Sequence, residues 1–323
     1  MPTCYIGVET YGKPSATQGS IANSNAIHPV CALQTDAPQI NRYLKMISRI
    51  DQSCQQLMIP GYLNFLAPTI VEDLIRLGKD HDGGYVITAS SAKKTEYLIS
   101  MGIAEDWSFE ANFITFNPRL KIHGYDHTIS KKVFFKNIVY EIIMLIARKS
   151  SLKIIRNKLH VYFSYLAFFS ENAIHFPERI NHRQEADYDV TIDKVFSRVD
   201  SDKVFVKIDI EGSEYLIIDD LLQFRSKIIG MALEFHNIGP LRLLFNESIK
   251  KLTEHYEIIH LHANNIGEIC TDGFPETMEI TLIRKEFCCG TVKRNILPVQ
   301  GIDAPNDPSK PDYKLIFNLQ DPD

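Results

Sequence analysis

Four short stretches hold the residues whose types and spacing point to chemistry. In SMGIAEDWSFE a single glycine, Gly102, is followed by Glu105 and Asp106, and then by Glu110 on the helix expected next. A pyrophosphate site needs a G-x-G-x-x-G loop, whose backbone amides cradle the phosphates. One glycine among acids suits a ligand with positive charge and no phosphate, such as S-adenosylmethionine with its sulfonium and ammonium groups. Helix capping by Asp106, with the other acids complementing the helix dipole, explains the same residues without a ligand. In HGYD, Asp126 falls 24 residues after Gly102. A carboxylate at the end of a second strand, about 20 residues past the first turn, is where ribose hydroxyls are bound. It is equally the residue type that opens an ordinary turn.

The third stretch is VFVKIDIEGSEY. Lys207, Asp209 and Glu211 alternate with Val206, Ile208 and Ile210, which places three charges on one face of a strand expected over 204–210. Unpaired buried charge is costly, so Asp209 and Glu211 belong at the open carboxyl end, paired with Lys207 or serving a ligand. The fourth is LEFH, where Glu234 and His236 share a face at the end of another strand. Further on, HLHANN puts His260, His262 and Asn264 on one strand face. No third ligand is spaced to complete a metal site there, so hydrogen-bonded histidines are expected and no metal is assigned.

These stretches need strands to end together, and the surrounding pattern supplies them. Strands are expected at 97–101, 120–125, 204–210, 228–235, 256–263 and 278–284. Helices are expected near 106–115, 190–199 and 214–224. Strands alternating with helices form a parallel α/β sheet, whose ligands bind outside the strands' carboxyl ends. Upstream, LIRLGKDHDGGYVIT reads as a hairpin turning at Asp82-Gly83-Gly84, because glycine accepts positive φ. Between 130 and 187 the alternation gives way to a helical, Lys-rich and aromatic insertion, a candidate lid or substrate-facing element. Residues 1–38 read as an irregular leader and 39–71 as a helical extension, with a helix from Ile40 through Leu57. The tail, 288–323, carries five prolines and is expected to wrap the surface or stay irregular.

Composition narrows the function classes. The 323 residues are 45% apolar and 23% charged, an ordinary globular mixture. With 35 Lys and Arg against 40 Asp and Glu, the net charge of -5 offers no field for a phosphate backbone, so nucleic acid is not the expected partner. The six cysteines form no C-x-x-C pair and read as reduced thiols. The opening MPTCYIGVETYGK lacks the basic-then-apolar order of a secretory signal. The most apolar stretch, 138–147, covers ten residues and contains Glu141, about half of a bilayer span. A cytoplasmic protein is expected, with peripheral membrane contact open and oligomeric state unread.

Taken in order, RLGKDHDGGYVI, LISMGIAEDWSFE, IHGYDHT, VTIDKVF, VFVKIDIEGSEY, MALEFH, LHANN and MEITLIRK resemble the FkbM family of S-adenosylmethionine-dependent methyltransferases, over about 72–287. KIDIEGSE followed by EFH is the most specific part. The usual methyltransferase E-x-G-x-G is reduced here to SMGIAED. The resemblance implies a Rossmann-like (class I) methyltransferase domain with a helical insertion, using S-adenosyl-L-methionine to methylate a hydroxyl of a saccharide, glycolipid or related natural product. By position, Gly102, Glu105 and Asp106 would flank the cofactor's methionine portion, with Glu110 on the adjoining helix and Asp126 at the ribose. Asp209, Glu211 and His236 would lie in the reaction cleft, any of them able to take the acceptor's proton. Two other classes compete. A nucleotide- or nicotinamide-dependent oxidoreductase requires the glycine-rich loop missing after Met101, and a non-catalytic binding protein retaining the fold has no need of the acidic strand ends.

Overall fold

In the computed structural model, residues 54–319 are described. The expected leader and most of the expected helix from Ile40 lie outside them. Strand β1, Cys54–Met58, occupies the end of that helix instead. It pairs in parallel with a strand near the other terminus, a partner that local periodicity does not contain. A short 3-10 turn, Gly61–Leu66, leads to the hairpin of β2, Leu74–Leu77, and β3, Tyr85–Thr88.

The alternating part follows as β3, α1 (Ala89–Lys94), β4 (Tyr97–Met101), α2 (Ser108–Phe116) and β5 (Lys121–Tyr125). Two long helices come next, α3 (Lys131–Ile146) and α4 (Leu152–Phe168). Ser130 and Ser151 cap them, each accepting a hydrogen bond from the backbone three residues on. The region 130–187 is not wholly helical: it also holds β6, Ala173–Phe176, and β7, Arg179–Ile180. Then come β8 (Asp189–Val190), α5 (Ile192–Phe196), β9 (Val204–Ile208), α6 (Ile218–Gln223) and β10 (Ile228–Phe235). The sheet is finished by α7 (Arg242–His255), β11 (Tyr256–Ala263) and β12 (Met278–Arg284). The tail supplies β13 (Ile296–Leu297) and β14 (Asp312–Ile316).

Seven strands form one sheet in the order β11-β12-β10-β9-β4-β5-β6. The five strands from β10 to β6 are parallel, and β12 is inserted antiparallel between β10 and β11. Chain order therefore reverses between β4 and β9, and a crevice opens at such a switch point, at the carboxyl ends. This is the Rossmann-like, mostly parallel α/β sheet expected from the sequence.

Both faces of the sheet are covered, which is why its strands read as nearly continuous apolar runs. On one face Ile99, Met101, Val204, Val206, Met231 and Leu233 join the larger core; on the other Leu98, Phe205 and Ala232 pack with Tyr85, Phe109 and Phe113. That second face carries polar groups on alternate positions toward the carboxyl ends. Ser100, Lys207, Glu234, Glu279 and His262 stand there, all buried. Ser100 lies opposite Lys207, and Glu279 lies between Glu234 and His262.

Candidate active site

Gly102 follows β4 with φ of +76°, and a Cβ there would come 1.6 Å from the Asp209 carbonyl oxygen. Only glycine lets the two loops approach so closely. Beside it opens a cleft of about 390 Å3, lined by Gly102–Ala104, Tyr125–Thr128, Glu178–Ile180, Asp209–Glu211 and Ser213. These segments follow β4, β5, β6 and β9, so the cleft sits at the switch point.

The acids of the first motif are placed differently from one another. Glu105 pairs with Lys158 of α4 at 3.0 Å. Asp106, just before α2, accepts from the Ser108 amide at 3.0 Å and pairs with Lys79 of the hairpin turn at 2.9 Å. Glu110 is buried beneath the cleft, where it accepts from the Ser100 hydroxyl. Burial raises its pKa, partly offset by Lys207. Neither Glu105, Asp106 nor Glu110 is among the cleft's lining residues. Asp126 is. Its Oδ2 accepts the Ile103 and Ala104 amides at 3.0 and 2.7 Å, and its Oδ1 accepts the Thr128 amide and hydroxyl at 2.7 and 2.6 Å. Burial works against its charge, yet these donors hold its pKa below the usual carboxylate value. Asp126 thus fastens the loop after β4 to the end of β5.

Strand β9 stops at Ile208, two residues short of the expected end, so Glu211 is not on its face. Glu214 is the cause. Fully buried, its Oε1 accepts from the Ile210 and Gly212 amides at 3.2 and 3.1 Å and bends the chain into a turn. Within that turn Glu211 takes φ of +57°, and its side chain is 85% exposed over the cleft. The expected helix over 214–224 starts as a 3-10 turn, Glu214–Leu216, before α6.

Glu214 also accepts from Nδ1 of His236 at 3.0 Å. That bond fixes the ring and turns Nε2 toward three other carboxylates: Glu211 at 3.6 Å, Glu234 at 3.8 Å and Asp209 at 3.9 Å. The Tyr85 hydroxyl bridges Asp209 and Glu234 at 3.1 and 3.0 Å, and Asn264 donates to the other oxygen of Glu234 at 2.8 Å. Lys207, also buried, lies 3.5 Å from Asp209 and donates to the Gly102 carbonyl at 2.5 Å. Sequence reasoning brought Asp209, Glu211 and His236 together correctly as neighbours. It missed Tyr85, Glu214 and Asn264 as members of the same cluster.

Charge crowding sets the protonation of this cluster. Burial, with Asp209 and Glu279 nearby, pushes Glu234 up to about 8. Burial opposes a charged His236, but the bond to Glu214 and the fields of Glu234 and Asp209 outweigh it and lift the imidazole to about 9. Lys207 is likewise desolvated, yet Asp209, Glu110 and Glu234 raise its pKa. Asp209, Glu234 and His236 also present ligand atoms within 4.8 Å of one another, a spacing compatible with one divalent cation. His260 and His262 of β11 pair with other acids. His260 pairs with Asp303 at 3.0 Å, and His262 lies between Asp312 at 3.3 Å and Glu279 at 3.4 Å.

No family model matches this chain. No curated protein matches it either. Among solved structures it is similar to the Methanococcus jannaschii fibrillarin pre-rRNA processing protein, at 9% identity over 60% of this chain and 69% of that one, with a TM-score of 0.33. Aeropyrum pernix fibrillarin, solved with natively bound S-adenosyl-L-methionine, is 12% identical over 68% of this chain and 86% of that one, TM-score 0.31. A precorrin-6y methyltransferase from Geobacter metallireducens is 11% identical over 61% and 86%, TM-score 0.32. The assignment of the fold rests on the strand order above, and the functional reading on the cleft and its residues.

Proposed function

We propose that this chain is an S-adenosylmethionine-dependent O-methyltransferase of the kind the FkbM resemblance implies, acting on a hydroxyl of a saccharide, glycolipid or related natural product. One observation carries the reading: Asp209 belongs both to the wall of the cleft and to the carboxylate–imidazole cluster. A bound cofactor and a proton acceptor would thus share one side chain.

The cleft suits the proposed cofactor by its donor set. Its lining includes Asp126, Glu178, Asp209 and Glu211, while its one Lys or Arg among the described residues, Arg179, is engaged by Asp189 at 2.6 Å. Acids favour the ammonium and sulfonium groups, and a dinucleotide's phosphates would find neither a glycine loop nor an unengaged cation. Gly102–Ala104 would hold the methionine portion against Asp209. Asp126 keeps that loop in place at the end of the second strand, where it would meet the ribose, and Ile103 and Ile180 supply apolar wall. When bound, S-adenosylmethionine supplies a methyl group on a positively charged sulfur.

The protein's own groups then orient the acceptor and move its proton. Alignment accounts for much of the acceleration of such a displacement. A sugar hydroxyl is a poor nucleophile, so a base that takes its proton during attack contributes roughly 100-fold or more. Asp209, a quarter exposed to the cleft, takes that role, held by Tyr85 and Lys207. His236 stands 3.9 Å behind it and relays the proton once its own Nε2 is free. Incubation with methyl-labelled S-adenosylmethionine and fractionated glycans and glycolipids tests the reading. Wild type transfers label to one fraction; Asp209→Asn, melting at the wild-type temperature, loses at least about 100-fold. Undiminished turnover by the variant overturns the assignment.

A further inference from the structure

Helices α3 and α4 pack antiparallel and expose what a water-facing hairpin would hide. Their buried residues are confined to Phe134 and Ile138 on α3 and Ile155 and Tyr165 on α4. Phe135, Ile143, Ile146, Leu152 and Phe163 are 57% to 80% exposed. Residues 131–168 also carry eight Lys or Arg against one Glu, in a chain whose net charge is -5. Basic and large apolar residues share the exposed side of each helix: Lys132, Phe135, Lys136 and Ile143 on α3, and Leu152, Lys153, Arg156 and Phe163 on α4. At the turn between the helices, Arg148, Lys149 and Lys153 stand among the exposed Ile146 and Leu152.

We propose that this hairpin docks the protein on an anionic lipid bilayer, with Ile146 and Leu152 entering the headgroup boundary and the lysines and arginines held against lipid phosphates. Apolar side chains ringed by basic ones are the signature of an element lying in a membrane interface. RNA is the poorer occupant. Phe135 and Phe163 offer rings, but the residues at the tip, Ile143, Ile146 and Leu152, are aliphatic and have no flat face on which bases could stack, whereas acyl chains bury them. The placement is functional as well as chemical. Helix α3 leaves the sheet just past the carboxyl end of β5, and Lys158 of α4 is tied to Glu105 at 3.0 Å in the loop after β4. The hairpin is therefore anchored on the side where the cleft opens, and a docked molecule meets its acceptor at the lipid surface. This last step rests on the methyltransferase reading and narrows the acceptor to a membrane glycolipid. The docking itself does not.

Flotation of the full chain with vesicles is the test, using phosphatidylcholine alone and phosphatidylcholine with about 30% phosphatidylserine. The protein is expected to float with the mixed vesicles, to stay behind with the neutral ones, and to be released at about 0.5 M salt as screening shortens the electrostatic range. Ile146→Glu/Leu152→Glu and Arg148→Glu/Lys149→Glu should each lower the bound fraction about tenfold or more. S-adenosylmethionine binding, measured alongside, should be unchanged in both variants. Loss of cofactor binding in wild type would sink the methyltransferase reading while leaving docking standing. No flotation of wild type, equal flotation of the variants, a wild-type dimer that the variants turn into monomer, or retention on RNA rather than vesicles would each overturn the docking.

Discussion

At the scale of single residues, a cluster beside the cleft holds protons at neutral pH. The raised groups are Glu234, at about 8, and His236, at about 9. A proton acceptor must be empty to work, so turnover should climb as pH rises from 7 through 9, and His236→Gln should flatten that climb. A pH–rate profile of both proteins checks it; a wild-type rate falling over this range would contradict the assignment. His236 has the opposite effect on folding, because its raised pKa gives stability that is complete below its ordinary value and lost as pH rises through about 9. Tyr85→Phe removes the hydroxyl that bridges Asp209 and Glu234. It should lower kcat about tenfold with little change in KM for the cofactor, as steady-state kinetics will show. Asp209, Glu234 and His236 were legible because period-two alternation puts charges at strand ends in plain view. Tyr85 was not, for its partner Asp209 is 124 positions away and only the packing of the hairpin brings them together. Glu214 looked like a helix start, although E-G-S-E spacing is that of a turn able to fold back on its own amides.

At the scale of elements, the close pass of two loops decides whether a cleft exists. Gly102→Ala would force a Cβ to 1.6 Å from a backbone oxygen at a φ of +76°. The variant should melt lower by roughly 3 kcal/mol or more in denaturant titration and lose cofactor binding. Strands 97–101, 228–235, 256–263 and 278–284 end where the sequence places them. Their apolar runs, bounded by turn residues, leave little choice when both faces are buried. Shorter elements escaped. Ala173–Phe176 is only four residues long and comes four residues after a helix, so its place as the sheet's edge strand comes from pairing with β5. Cys54–Met58 satisfied a helical template by spacing and became a strand because Asp312–Ile316 lies beside it. Local pattern cannot supply a distant partner.

At the scale of the whole molecule, the tail is a structural member. It returns to pair with β1, and it delivers Asp303 to His260 and Asp312 to His262. Burial favours a neutral Asp303, but His260 holds it at about 2, so this contribution survives acid until pH falls through that value. Burial also disfavours a charged His262, yet Asp312 and Glu279 raise its pKa well above normal. His262→Ala leaves both acids buried without their cation and should cost about 3–5 kcal/mol, read from chemical denaturation. Five prolines made the tail look irregular, and nothing local announced its salt bridges. Among the described residues no helix is long and apolar enough to cross a membrane. The net charge of -5 averages over a cleft lined by acids and a hairpin rich in lysine and arginine. The claim beneath all of this is that the cleft beside Asp209 receives S-adenosylmethionine. Calorimetric titration of the full chain addresses it directly. The account predicts saturable one-site binding of S-adenosylmethionine and no heat with NAD; binding of NAD, or silence with S-adenosylmethionine, would contradict it.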